Sequence, residues 1–176
     1  MNLHVNGRMF TIRKAKQEDI SKVLSLLVEA AEWLKTKGTT QWNYYLTDLE
    51  GNMGEVMESI NRQNTYLAEI EREAVASLTL EEEPGEWDME IWGVEAAQGD
   101  AVYMHRLVVN REYAGLGLGE ALIEWAKNEV NHRGKKYIRF DCLYSNDGLN
   151  SFYQRHNPLK GVADVYGKHS KYEITF

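Results

Sequence analysis

The chain of 176 residues is 43% hydrophobic and 11% aromatic, which supports a folded core and argues against a disordered tail or a coiled coil. Its 20 Lys and Arg residues against 27 Asp and Glu residues give a net charge of −7, whereas a general nucleic-acid binder needs a basic face. The longest apolar run, residues 101–104, is far shorter than the ~20 residues of a transmembrane helix, and the N-terminus lacks the apolar core of a signal peptide. We therefore expect a single cytoplasmic domain over residues 1–176, with neither nucleic acid nor membrane as a partner.

Cysteine and histidine usage argues against a metal centre. Cys142 is the one cysteine, so the sequence offers neither a disulfide framework nor a CxxC zinc site. The 5 histidines lack the His-x3–5-His spacing of structural zinc sites. We therefore expect no metal ligands.

The first half of the chain predicts a strand, two helices and a hairpin. Residues 10–13 alternate in polarity, as a strand does. Apolar residues recur at three- and four-residue steps over 18–37, which indicates an amphipathic helix, and a second helix is expected over 54–63. Residues 65–70 and 74–80 are strand-like, and the short connection between them implies an antiparallel hairpin.

The second half alternates strands and helices. The expected elements are a strand over 101–109, a helix over 118–133, a strand over 137–142, a helix over 147–155 and strands over 161–166 and 171–176. The order β-α-α-β-β-β-α-β-α-β-β indicates an α/β fold with a mixed sheet, a meander in its first half and a crossover helix in its second.

Residues 81–100 concentrate negative charge. They contain eight acidic and no basic side chains, so the rest of the chain is nearly neutral. Such a run usually forms a solvated loop. The alternative is an acidic rim that attracts a cationic substrate, such as a polyamine or a basic peptide.

The most informative stretch connects the strand that ends at Val109 to the helix that begins at Leu118. Gly115, Gly117 and Gly119 occupy alternate positions there. Glycine lets a backbone approach a ligand closely and point N–H groups at it, and the helix N-terminus adds a partial positive charge. We interpret the stretch as an anion site suited to phosphates.

The kind of phosphate ligand is narrowed by what surrounds the loop. The GxxxxGK[ST] motif of NTPases is absent. A dinucleotide-binding loop is the rival hypothesis, because Asp141 follows Gly119 at about the spacing that such folds use. However, this loop follows three meander strands, and the chain after Asp141 is too short for the rest of a parallel dinucleotide sheet.

These residues resemble the signature of the GCN5-related N-acetyltransferase (GNAT) superfamily, Arg/Gln-x-x-Gly-x-Gly/Ala after a strand. The resemblance runs from Ile12 to Tyr153 and aligns Gly117 and Gly119 with the two glycines, with Ala114 where Arg or Gln is usual. It implies a mixed, mostly antiparallel sheet flanked by helices on both faces, and direct transfer of the acetyl group of acetyl-CoA to a primary amine of a small molecule or peptide. The residues that the resemblance assigns to acetyl-CoA are Leu107, Val108, Val109, Ala114, Gly115, Leu116, Gly117, Leu118, Gly119, Glu120 and Asn146.

The resemblance also suggests residues for proton transfer. Tyr153 matches the acid tyrosine of the family, and a phenol of pKa ~10 keeps a proton that it can donate to the departing thiolate; a packing role is the alternative. His105 titrates in the range useful to a base, with a structural histidine, a carboxylate or a water relay as alternatives. Cys142 is expected to be a core residue rather than a nucleophile.

The acceptor site is predicted in the aromatic segment 33–45. In the family, the link between the first two helices lines the acceptor pocket, so Trp33, Gln41, Trp42 and Tyr45 are candidate acceptor-binding residues. Aromatic faces can hold cationic amines, although rings that only cover the sheet are the alternative. A non-catalytic acyl-CoA-binding or regulatory module is the alternative function, and a homodimer is compatible with the sequence.

Overall fold

A computed structural model describes residues 1–176 and contains one eight-stranded sheet. The strands are β1 (Asn2–Val5), β2 (Arg8–Lys14), β3 (Thr65–Ile70), β4 (Glu73–Glu81), β5 (Ala101–Val109), β6 (Tyr137–Leu143), β7 (Leu159–Asp164) and β8 (Lys168–Thr175). They follow the order β1-β2-β3-β4-β5-β6-β8-β7. The pair β5–β6 is parallel, whereas β1–β2, β2–β3, β3–β4, β6–β8 and β7–β8 are antiparallel. The predicted mixed, mostly antiparallel sheet is confirmed.

Six α-helices accompany the sheet. They are α1 (Ile20–Thr36), α2 (Tyr44–Thr47), α3 (Leu49–Asn61), α4 (Glu86–Trp92), α5 (Leu118–His132) and α6 (Asp147–Gln154). Short 3-10 turns occur at Gln17–Asp19, Gly93–Gln98 and Arg111–Tyr113. None of the helices combines the length and the apolar character needed to cross a membrane.

The contacts of the chain group into two compact units. The first unit comprises residues 1–80 and 105–125, and the second comprises residues 81–104 and 126–176.

In the first unit, helices cover both faces of the sheet. Leu67 of β3 belongs to a buried cluster that includes Leu27 of α1 and Ile60 of α3. The next residue back, Tyr66, instead contacts Trp125 of α5, with ring centroids 4.9 Å apart. Because successive strand side chains point to opposite faces, α1 and α3 lie on one face and α5 on the other.

The second unit repeats this arrangement around β6. The ring of Phe140 lies 4.6 Å from that of Tyr153 on α6 and stacks on Tyr172 of β8. The neighbouring residue, Arg139, places its guanidinium carbon 4.9 Å from the ring centroid of Trp92 on α4. Adjacent positions of β6 thus face α6 and α4 on opposite sides of the sheet.

The acidic segment 81–100 is not the solvated loop that its charge predicts. It forms α4 and a 3-10 turn, and Ile91, Trp92 and Ala96 bury their side chains in a core cluster. Two of its acidic groups have partners: the Asp88 carboxylate accepts a hydrogen bond from the nearby Gly85 N–H at 3.0 Å, and Glu95 lies 3.2 Å from Nζ of Lys160, which is distant in the sequence. The apolar residues interspersed among the acids explain why the segment packs.

Two further elements were missing from the sequence-based expectation. The strand β1 pairs with β2 through a tight turn at Asn6 and Gly7, whose φ angles are 49° and 75°. The single turn α2 lies between the two predicted N-terminal helices. Neither element changes the predicted fold class.

Candidate active site

The strand β5 is interrupted at Arg106. This residue has φ 51°, a left-handed conformation that costs a residue with a side chain about 1–2 kcal/mol. Residues 101–104 of β5 are buried, whereas His105, Arg106 and Leu107 are all half-buried. The regular alternation of the strand is therefore lost just before the segment predicted to bind the cosubstrate.

The segment that follows β5 turns sharply into α5. The side chain of Asn110 accepts a hydrogen bond from the Glu112 N–H at 2.9 Å and starts a 3-10 turn. Ala114 is extended, and Gly115 and Gly117 then adopt φ angles of 74° and 85°. Because L-residues rarely adopt these angles, the glycines are required by the path of the backbone.

The glycine loop, residues 114–120, ends in the first turn of α5. Leu118 begins this helix with only 1% of its side chain exposed and so fixes the helix start on the core. The first N–H groups of a helix have no partner within the helix, and they carry the positive end of the helix dipole. The loop and the helix start together form a cradle suited to a pyrophosphate.

Contacts on both sides hold this cradle in place. The backbone N–H of Asn110 donates to the Val75 carbonyl of β4 at 2.8 Å, and its side-chain amide donates to Glu29 of α1 at 3.2 Å. The guanidinium carbon of Arg111 lies 3.6 Å from the ring centroid of Trp33, also on α1. The loop is thus attached to the helix layer as well as to the sheet.

The predicted acceptor residues occupy different environments. Trp33 is half-buried beneath Arg111. Gln41 is half-buried, and its backbone N–H donates to the Thr39 hydroxyl at 3.2 Å. Trp42 adopts φ 61° and packs beside the core of α1 and α3, while Tyr45 is only 3% exposed within that core. Their assignment to the acceptor stays a prediction.

Arg106, which sequence analysis did not single out, points a half-buried cation toward α3 and β4. Its Nη2 donates to the Ser59 hydroxyl at 2.6 Å and lies 3.5 Å from the Thr79 hydroxyl. Burial raises the pKa of the Tyr45 phenol, and the charge of Arg106 opposes that rise. The one signal in the sequence was a second basic residue beside His105 in an otherwise apolar strand.

In the second unit, Asn146 is the N-cap of α6. Its Oδ1 accepts a hydrogen bond from the Leu149 N–H at 3.2 Å. The side chain is 4% exposed, yet its Nδ2 has no hydrogen-bond partner within the protein. A buried amide donor without a partner is costly, so this group fits a residue that donates to a ligand.

Tyr153 lies near the C-terminal end of α6, the helix that Asn146 caps. It is 6% exposed, and its ring contacts Phe140 and Phe152 as well as Tyr172. Burial raises the pKa of its phenol, so the hydroxyl keeps its proton throughout the physiological range.

Cys142 is buried in β6 of the second unit. Burial raises the pKa of its thiol to about 12, which suppresses the thiolate that a nucleophile requires. No group of three or more His, Cys, Asp or Glu side chains is arranged to hold a metal ion.

A mixed sheet with a glycine loop at the start of a helix defines a class of α/β protein that binds a phosphate-bearing ligand. Comparison with known proteins specifies the family: residues 26–157 match the Acetyltransferase (GNAT) family, and the chain belongs to it. A relative from Bacillus subtilis, described as the uncharacterized N-acetyltransferase YesJ, is 34% identical over 155 residues, which is 88% of this chain and 84% of that protein.

Solved structures agree with the fold. A GNAT-family acetyltransferase from Listeria monocytogenes is 27% identical, covers 100% of both chains and superposes with a TM-score of 0.82. The PaiA N-acetyltransferase of Thermoplasma acidophilum, solved in complex with coenzyme A, is 15% identical, with coverage of 95% of this chain and 99% of that one and a TM-score of 0.72. The protein is therefore an acetyl-CoA-dependent acetyltransferase, with acetyl-CoA as its cosubstrate.

Proposed function

We propose that the protein transfers the acetyl group of acetyl-CoA directly to a primary amine of a small molecule or peptide. The observation that carries this proposal is the glycine loop, in which Gly115 and Gly117 hold positive φ angles directly before α5. That geometry suits a pyrophosphate, and family membership supplies the identity of the ligand.

The proposed contacts with acetyl-CoA come from three sets of residues. The backbone groups of 107–109 pair with the pantetheine arm, and the N–H groups of 114–120 bind the pyrophosphate. The partnerless Nδ2 of Asn146 donates a further hydrogen bond. When bound, acetyl-CoA supplies an acetyl group that is activated as a thioester.

Two proton transfers accompany the reaction. A primary ammonium of pKa ~10.4 must lose a proton before it attacks, and the coenzyme A sulfur must gain one as it leaves. We assign the second transfer to Tyr153, because it matches the acid tyrosine of the family and its buried phenol holds a proton to donate. His105 is our candidate for the base, with a carboxylate or a water relay as the alternatives.

The acceptor is assigned to the segment that follows α1. The proposed lining residues are Trp33, Gln41, Trp42 and Tyr45. The first three are half-buried. Aromatic faces of this kind attract ammonium groups. For the oligomeric state, the proposal includes a homodimer as the alternative to a monomer.

Calorimetric titration with acetyl-CoA tests the proposed cosubstrate site. We expect saturable binding by the natural protein and loss of binding in Gly117→Glu, whose side chain places a negative charge in the cradle and strains a φ of 85°. The matched control is Gly134→Glu, because Gly134 has φ 72° just beyond the other end of α5. An amine screen that monitors coenzyme A release then tests transfer.

The outcomes separate the two candidate functions. Binding together with amine-dependent coenzyme A release supports the acetyltransferase. Binding without release for any amine favours a non-catalytic acyl-CoA-binding module. A folded protein that binds neither acetyl-CoA nor coenzyme A contradicts both.

A further inference from the structure

Arg106 differs from the other partly buried arginines in what accepts its hydrogen bonds. Arg13, Arg133 and Arg139 each pair with at least one carboxylate, at distances of 2.6, 3.0 and 2.8 Å respectively. The Nη2 of Arg106 instead faces the hydroxyls of Ser59 and Thr79. A half-buried cation thus has neutral partners.

Both hydroxyl partners of the Arg106 Nη2 group are themselves buried. Ser59 lies on α3 and Thr79 on β4, and they hold one edge of the guanidinium. The Tyr45 hydroxyl also hydrogen-bonds the Arg106 side chain. A guanidinium has five N–H donors in a planar fork, so these three hydroxyls leave donors for a further acceptor. A planar carboxylate fits that fork and supplies the missing negative charge.

The backbone conformation of Arg106 directs this fork. At φ 51° the residue breaks the alternation of β5, so that three consecutive residues, 105–107, are half-buried. Strain of this kind persists where the surrounding structure maintains it, and such positions concentrate at functional sites.

The position along β5 connects Arg106 with the reacting end of the cosubstrate. In the proposed function, the pyrophosphate binds at 114–120 and the pantetheine arm runs back along 109–107. The thioester then lies next to the residues that precede Leu107, which are Arg106 and His105. An acceptor that approaches the thioester there meets the guanidinium.

We propose that Arg106 binds a carboxylate carried by the acceptor, so that the preferred substrates are amino acids rather than polyamines. This inference rests on the proposed function and narrows its acceptor class. The fixed positive charge favours an anionic group beside the amine and repels a polycation. It also favours the neutral form of the attacking amine, because a nearby cation lowers the pKa of an ammonium.

The test compares acceptors that differ only at the carboxylate. The probes are the common α-amino acids, their carboxamides, their decarboxylated amines, and spermidine, with coenzyme A release as the readout. We expect kcat/KM for the best free acid to exceed that of its carboxamide about 30-fold or more, as loss of a charged hydrogen-bonded pair predicts. Arg106→Gln should reduce this ratio to near one, mainly through KM, and Arg106→Lys should keep part of it.

Controls separate this inference from the proposed function. Arg62→Gln alters an exposed arginine at the end of α3 and should keep the natural ratio of acid to carboxamide.

Different outcomes contradict the two proposals. If acetyl-CoA binds and amines turn over, but carboxamides match free acids or no free acid is a substrate, the proposed carboxylate site is contradicted while the acetyltransferase activity stands. An equal loss for acids and amides in Arg106→Gln likewise overturns it. If that variant does not fold, the acceptor series with the natural protein and Arg106→Lys decides alone. Absence of acetyl-CoA binding instead contradicts the proposed function.

Discussion

The guanidinium carbon of Arg111 lies 3.6 Å from the indole centroid of Trp33, which joins the 3-10 turn before the glycine loop to the last turns of α1. The contact gives Trp33 a role in addition to the predicted one at the acceptor. A cation over an indole contributes about 0.5–1 kcal/mol at exposed sites. Trp33 thereby helps to position a segment that it precedes by more than seventy residues.

Trp33→Leu is expected to weaken acetyl-CoA binding about three-fold, because the turn before the glycine loop loses its cation–π contact with α1 and keeps only the Asn110–Glu29 hydrogen bond. Calorimetric titration measures this change. Arg111→Gln should produce a similar loss, and the double variant should be little worse than either single variant, since both remove the same contact. An unchanged affinity in Trp33→Leu, with a raised acceptor KM, would assign Trp33 to the acceptor alone.

Tyr153→Phe is expected to lower kcat by about 10²-fold with little change in acetyl-CoA affinity, because a general acid acts mainly in the transition state. Steady-state kinetics and calorimetry on the same sample measure the two quantities. Tyr172→Phe is the matched control: its hydroxyl donates to Asn150 at 2.6 Å and accepts from Gln154 at 3.0 Å within the same aromatic cluster. This control should lower Tm rather than kcat, and an unchanged kcat in Tyr153→Phe would remove Tyr153 from the mechanism.

The parts of the fold that sequence predicted well are those specified by local patterns. Apolar spacing located α1 within two residues at each end, although the first predicted residues belong to the preceding 3-10 turn. The hairpin of β3 and β4 followed from a short connection between two apolar runs. The glycine loop was identified because glycine readily adopts backbone angles that other residues avoid. Gly115 and Gly117 do have positive φ angles.

The parts that sequence missed depend on partners distant in the chain. The Asn6-Gly7 pair is a hairpin signal, but β1 is so short that it exists only by pairing with β2. The segment 81–100 was predicted to be solvated because its acidic residues outnumber its apolar ones. The side chains of Ile91 and Trp92 nevertheless pack in a core cluster. Arg106 was missed because its φ of 51° and its hydroxyl partners arise from tertiary contacts with α3 and β4.

Asp19→Asn is expected to destabilise the protein by about 2–3 kcal/mol, since it breaks a buried ion pair. The carboxylate of Asp19 accepts from Arg13 at 2.6 and 2.9 Å and from the Lys16 N–H at 2.9 Å, while Arg13 also binds Glu69. Denaturant unfolding measures the loss. Glu58→Gln, which removes an exposed ion pair on α3, should cost about 0.5 kcal/mol or less.

The ion pair between Asp19 and Arg13 also predicts that the free energy of unfolding falls at acidic pH. Hydrogen bonding to Arg13 holds the pKa of Asp19 well below its usual range. A depressed folded-state pKa contributes stability that is fully present above the unfolded pKa of about 3.9 and is lost as pH falls toward the folded value. Unfolding free energies measured from pH 7 to pH 3 should therefore fall less steeply in Asp19→Asn than in the natural protein. Parallel curves would show that Asp19 does not titrate with folding.

Cys142 is expected to be inert in the native protein. Its thiol is buried in β6, and burial raises its pKa to about 12, so at pH 8 roughly one thiol in 10⁴ is ionised even before access is considered. Iodoacetamide should leave the folded protein unlabelled and modify it fully in denaturant, with intact mass as the readout. Cys142→Ala should retain turnover, at a cost in Tm from the lost packing. Rapid labelling of the folded protein together with loss of activity in Cys142→Ala would instead point to an acyl-enzyme step through this residue.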